Sequence, residues 1–142
     1  MAYNLNQVAM ITGLTTRTLR NHLKLGLLKG EKTDGNWMIT EEALDAYWAD
    51  PSVRRAIAAR HHAVVYDFLA DPFKKANRIC VIMDFPVSPE EALGIAEFFC
   101  AEISRRGSDV EFRFINEKNV SRFILSGSED QVRDFMKAYY ER

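Results

Sequence analysis

Cysteine is scarce in this chain, net charge is scarcer, and no long hydrophobic run occurs. Two cysteines in 142 residues, Cys80 and Cys100, exclude a disulfide-built scaffold. Each sits in an apolar pattern with nothing basic adjoining, so both read as reduced core residues, with the cytoplasm as the expected compartment. The uncharged stretches fall well short of the roughly 20 apolar residues a membrane span needs, and no membrane partner is expected. Met1-Ala2-Tyr3-Asn4 lacks the basic-then-apolar pattern of a secretory signal. His61 and His62 are adjacent on an expected helix and point about 100° apart, a poor arrangement for sharing one ion. There is no glycine-rich phosphate loop and no nucleophile with an obvious base. Glu90-Glu91 and Glu129-Asp130 fall in first turns of expected helices, where capping and the helix dipole account for them. Catalytic residues, metals and cofactors are therefore not expected. Neither are internal repeats.

The charge that is present is unevenly placed. The total of −1 argues against a general polyanion binder. Residues 1–40, however, carry five basic side chains (Arg17, Arg20, Lys24, Lys29, Lys32) against two acidic ones, or +3, while residues 76–142 carry nine against twelve, or −3. A basic front and an acidic back suit a polyanion-contacting module joined to one that avoids the polyanion.

Caps and periodicity divide the chain. Asn4 with Gln7 forms a capping-box pattern for a first helix with Leu5, Val8, Ala9 and Ile11 or Thr12 on its apolar face, ended by Gly13. Thr15 caps a second helix to about Leu25, with Leu19 and Leu23 inward. Asp34-Gly35 between two short extended runs, Leu27–Thr33 and Asn36–Thr40, predicts a hairpin, because both turn residues need positive φ. Thr40 caps a third helix to about Trp48 that buries Ala43, Leu44, Tyr47 and Trp48. Asp50-Pro51-Ser52 breaks the pattern, and a connecting helix from Val53 to about Leu69 follows, carrying Val53, Ile57, Val64 or Val65, and Phe68.

The remainder reads as strand Ile79–Phe85, helix from the Ser88 cap to Arg106, strand Asp109–Asn116, turn Asn116–Asn119, strand Val120–Ser126, and a last helix capped by Ser128 with Gln131. The order β-α-β-β-α is that of a ferredoxin-like sandwich lacking its final strand. The fold class is thus α+β: a winged helix-turn-helix over residues 1–50, a connecting helix over 51–76 and the small β-α-β-β-α unit over 77–142. That unit is expected to dimerise or to sense a small-molecule or protein effector. Its first strand would lie at an open edge, where two subunits could meet as a homodimer. Its many aromatic residues are expected to be mostly core.

Helix, tight turn, helix and hairpin together present one helix to the major groove of a duplex. The outward residues of the second helix are Thr16, Arg17, Thr18, Arg20, Asn21 and Lys24. Arginine pairs bidentately with guanine and asparagine with adenine, while Thr15 and its neighbours at the helix start suit phosphates. Lys29 and Lys32 on the wing reach adjacent phosphates or the minor groove. Trp37 is expected to anchor the wing in the small core, and His22 to lie at the surface near phosphate.

Thr12-Gly13-Leu14-Thr15, Thr18-Leu19-Arg20 and Leu25-Gly26-Leu27-Leu28 together resemble the DNA-binding head of the MerR family. Lys29-Gly30-Glu31-Lys32, Gly35-Asn36-Trp37 and Thr40-Glu41-Glu42-Ala43-Leu44 are similar to its shorter, excisionase-type members. The resemblance covers residues 3–49 and implies a winged helix that binds double-stranded DNA, usually as a dimer on a two-fold site, with contacts on Arg17, Arg20 and the wing lysines. Asn21-His22 departs from the aromatic pair usual in the family, and Met38 stands where a second wing base is common. The dimerising coiled coil and metal-binding cysteine loop of the metal sensors are absent, so a dimer must be built differently. Three functions fit: a sequence-specific transcriptional regulator, an excisionase-like factor that bends DNA, and a protein-interaction adaptor.

Overall fold

The computed structural model describes residues 2–117 and 119–142. The chain is mixed α+β, with six helices and two three-stranded antiparallel sheets among the described residues. It divides into two compact units between His61 and His62.

The N-terminal unit opens with strand β1 (Ala2–Asn4) and helix α1 (Leu5–Thr12). The capping box is formed: Gln7 N donates to Asn4 Oδ1 at 2.8 Å, and Asn4 N donates to Gln7 Oε1 at 2.9 Å. Thr12 then stitches the turn to the next helix. Its hydroxyl donates to Val8 O at 2.7 Å and accepts from Leu14 N at 3.1 Å. Helix α2 (Thr16–Lys24) follows, capped by Thr15 and ended at Leu25. Strands β2 (Glu31–Thr33) and β3 (Asn36–Thr40) form the hairpin, with Asp34 at φ 52° and Gly35 at φ 81° as the two turn residues. The expected first arm, Leu27–Thr33, is extended only from Glu31. Before it, the amides of Leu27 and Leu28 bond back to His22 O, and Leu28 is buried.

Strand β1 pairs with β3 on the side away from β2, giving the order β1-β3-β2. Three residues carry no periodicity, so β1 escapes sequence reading; it exists because β3 offers it a partner. Helix α3 (Glu41–Ala49) buries Leu44, Tyr47 and Trp48, while Ala43 is half-buried. Asp50 is extended and breaks the helical run as expected, but helix α4 (Pro51–Ala70) starts at Pro51 rather than at Val53. Asp50 Oδ1 accepts from Ser52 N, Ser52 Oγ and Val53 N, and proline takes the first helical position, where a missing N–H costs nothing. These hydrogen bonds, that of the Ser52 hydroxyl first, hold the Asp50 carboxyl below its ordinary range. Val53 and Ile57 are buried. No helix among the described residues is long and apolar enough to cross a membrane.

The C-terminal unit contains strand β4 (Arg78–Phe85), helix α5 (Pro89–Arg106), strands β5 (Glu111–Asn116) and β6 (Ser121–Ser128), and helix α6 (Glu129–Glu141). Of the turn expected over 116–119, Lys118 lies outside the described residues. The sheet order is β4-β6-β5, so the last strand lies between the first two. One face carries the rows Val81/Leu125/Phe112 and Met83/Phe123/Phe114. Phe99 of α5 packs tilted against Phe112 (5.4 Å between centroids) and Tyr139 of α6 stacks on Phe85 (6.2 Å), so the two helices cover this face. Phe112, Phe114 and Phe123 are fully buried, each worth about 2–3 kcal/mol against exposure. The aromatic set is not all core: Phe85, Phe98 and Tyr139 are half-buried, and Tyr140 is exposed.

The other face carries the rows Cys80/Ser126/Glu111, Ile82/Ile124/Arg113 and Asp84/Arg122/Ile115. Cys80 is therefore half-buried on this face, a correction to its expected place in the core; Cys100 is fully buried, and burial pushes its thiol up to about 12. Asp84 accepts two hydrogen bonds from Arg122, at 2.7 and 2.8 Å, which hold its carboxyl below the ordinary range.

Candidate nucleic-acid interface

Helix α2 has two faces with opposite chemistry. Leu19 is fully buried and Leu23 half-buried on the inner side. Arg17, Arg20, Asn21 and Lys24 stand at positions i, i+3, i+4 and i+7, one stripe of the helix, and all four are exposed. Among the described residues none of Arg17, Arg20, Lys24, Lys29 and Lys32 is paired with a carboxylate. The charges are thus available to an external anion.

The threonines at the helix start are differently placed. Thr15 Oγ1 accepts from Thr18 N at 3.1 Å and donates its hydroxyl proton to Thr18 Oγ1 at 3.0 Å. Its O–H is spent inside the helix, whereas the Thr18 hydroxyl keeps a proton to donate outward. Thr16 and Thr18 are both half-buried.

His22 is not a surface phosphate ligand. Its Nδ1 lies 2.6 Å from the Tyr47 hydroxyl, with ring centroids 5.7 Å apart, so it ties α2 to α3 from within. Tyr47 is buried, and loss of solvent raises its phenol to about 12. The hydroxyl therefore stays protonated over any ordinary pH. His61 is also structural, its Nε2 bonding to the Ile11 carbonyl at 2.9 Å, while His62 is exposed. Among the described residues no group of three or more His, Cys, Asp or Glu is placed to hold a metal.

The wing differs from expectation in its anchor. Ile39, not Trp37, is fully buried. Trp37 is half-buried opposite Lys32 on the neighbouring strand, whose ammonium lies 5.4 Å from the ring centre. Trp37 and Ile39 share one face of β3, but Trp37 stands one residue from the hairpin turn whereas Ile39 lies further in. Trp37 and Asn36 line a cleft of about 400 Å³ with Arg20 and with Asn4, Leu5 and Asn6 at the start of α1. Sequence reasoning missed Asn6, Asn36 and Trp37 as neighbours of Arg20, because nothing local in the sequence says which hairpin residues come near α2. Lys29 lies elsewhere, in a hollow shared with Ala2, Glu31 and Thr40.

Gly30 sets the distance between wing and helix. A Cβ there would lie 2.6 Å from Ile39 Cδ1, 3.2 Å from Leu23 Cδ2 and 3.3 Å from Met38 O. No protein-family model matches the chain, and no curated protein or solved structure matches it either.

Proposed function

We propose that the N-terminal unit is a winged helix-turn-helix that binds double-stranded DNA, and that the chain acts as a sequence-specific transcriptional regulator. The observation that carries this reading is the exposed stripe Arg17, Arg20, Asn21 and Lys24 on a helix whose opposite side is packed. A helix of that kind enters a major groove about 12 Å wide, where arginine donates both hydrogen bonds to a guanine edge and asparagine donates one to and accepts one from an adenine edge. The groups around the Arg20 cleft, Asn6 and Asn36 among them, are of the type that meets phosphate and sugar oxygens, as are Lys29 and Lys32. The C-terminal unit reads as a β-α-β-β-α sandwich of ferredoxin-like type without its last strand, which the order β4-β6-β5 supports.

The test is binding to random duplex at several salt concentrations, followed by selection from a randomised duplex pool. With about five phosphate contacts, log K should fall with log salt at a slope of about −4.5. Selection should enrich one motif. A flat salt response, or a pool that stays random, would refute the reading.

A further inference from the structure

Strand β4 forms one edge of its sheet, with β6 on its other side. It is eight residues long, and Met83 alone among them is buried. Ile82 is 51% exposed. The five residues from Ile79 to Met83 carry no charge, whereas the opposite edge, β5, is guarded by Glu111 and Arg113. An uncharged, unpaired strand edge is a template for another strand.

We propose that two copies of this chain join edge to edge through β4, antiparallel, in the register that sets Arg78 of each copy opposite Asp84 of the other. Symmetry narrows the choice first. A two-fold axis relating antiparallel edges must stand normal to the sheet, so each residue stays on its own face, and directly opposed residues also share a face. Only registers whose paired residue numbers sum to an even value meet both conditions. The strand itself, Arg78–Phe85, is centred between two such registers.

Charge then selects one of them. In the first, Val81 faces its own copy, Cys80 faces Ile82, Ile79 faces Met83 and Arg78 faces Asp84. In the second, Ile82 faces itself, Asp84 falls opposite Cys80, and Arg78 is left opposite Pro86. The first pairs every opposite charge and leaves no carboxylate against an apolar neighbour. Asp84 has room for the second arginine. An ionised carboxylate offers about four lone-pair sites, and Arg122 occupies two of them. Seven residues of each copy, Arg78 to Asp84, would make roughly six to eight backbone hydrogen bonds and one continuous six-stranded sheet. The inference stands on the C-terminal unit and holds whether or not the N-terminal unit binds DNA.

The test is sedimentation of the full chain from about 1 to about 100 μM, with two variants at the exposed Ile82. The wild type should sediment as a dimer. Ile82→Lys should weaken dimerisation by about tenfold or more while leaving the circular dichroism of the monomer unchanged. Ile82→Cys should give an oxidised dimer through Cys80 of the second copy, and that crosslink should vanish in Ile82→Cys with Cys80→Ser. A wild type that stays monomeric throughout, or a dimer indifferent to Ile82→Lys, overturns the proposal. A crosslink that survives loss of Cys80 refutes the register, because it requires Ile82 to face itself.

Discussion

Replacing Gly30 with alanine tests how closely the wing is set against helix α2. The added methyl would lie 2.6 Å from Ile39 Cδ1. Carbon atoms prefer about 3.5–4.0 Å, so the overlap is roughly 1 Å. Ile39 is fully buried and cannot swing its terminal methyl into open space. Overpacking of this kind costs about 1–3 kcal/mol, and the loss of chain entropy in the unfolded state returns about 0.4–1 kcal/mol. A net destabilisation of about 1–2 kcal/mol is expected. Ile39→Val removes the offending methyl and alone costs about 0.5–1.5 kcal/mol. The double variant should therefore be more stable than the sum of the two by about 1 kcal/mol, the Leu23 and Met38 contacts at 3.2 and 3.3 Å keeping the relief incomplete. Both tryptophans, Trp37 and Trp48, belong to the N-terminal unit, so urea unfolding followed by tryptophan fluorescence reports that unit alone. Additivity within about 0.3 kcal/mol would show that the wing does not press on Gly30, and the packing argument would fail.

Two further outcomes follow from the described geometry. Arg20→Ala should lower specific DNA affinity by about 1–3 kcal/mol and relax selectivity at one base position, as read by fluorescence anisotropy; unchanged affinity removes Arg20 from the interface. Asp84 titrates below the ordinary 3.8 because Arg122 bonds its charged form, so its contribution to stability is complete above that value and is lost as pH falls through the lowered one. An NMR titration should find Asp84 shifted up in Arg122→Gln relative to the wild type, and an unmoved titration would deny the coupling.

What the sequence made legible was what short-range chemistry decides. The caps at Asn4, Thr15, Thr40, Ser88 and Ser128 all form, since each needs only an amide three residues away. The Asp34-Gly35 turn forms for the same local reason. What escaped depends on partners distant along the chain. His22 meets Tyr47 across 25 residues, and nothing near position 22 announces a phenol. Strand β1 is defined by β3, and Ile39 rather than Trp37 fills the core, a choice that nothing local to the strand announces. Asp50-Pro51 was ambiguous because the same pair ends one helix and begins the next. For the candidate site, the sequence named the cations of α2 but left their neighbours on the β2–β3 hairpin unassigned.

The hydrogen bond from the His61 ring to the Ile11 carbonyl ties the first helix to a residue eleven positions past Asp50, so a fifty-residue piece would be less stable than one that runs to His61. A chain cut after Asp50 would lose Val53 and Ile57 from its packing and strand a carbonyl at the end of the helix that braces α2. The portable piece extends through His61, eleven residues beyond the motif, and a fusion built on the shorter piece would carry the arginines without the frame that aims them.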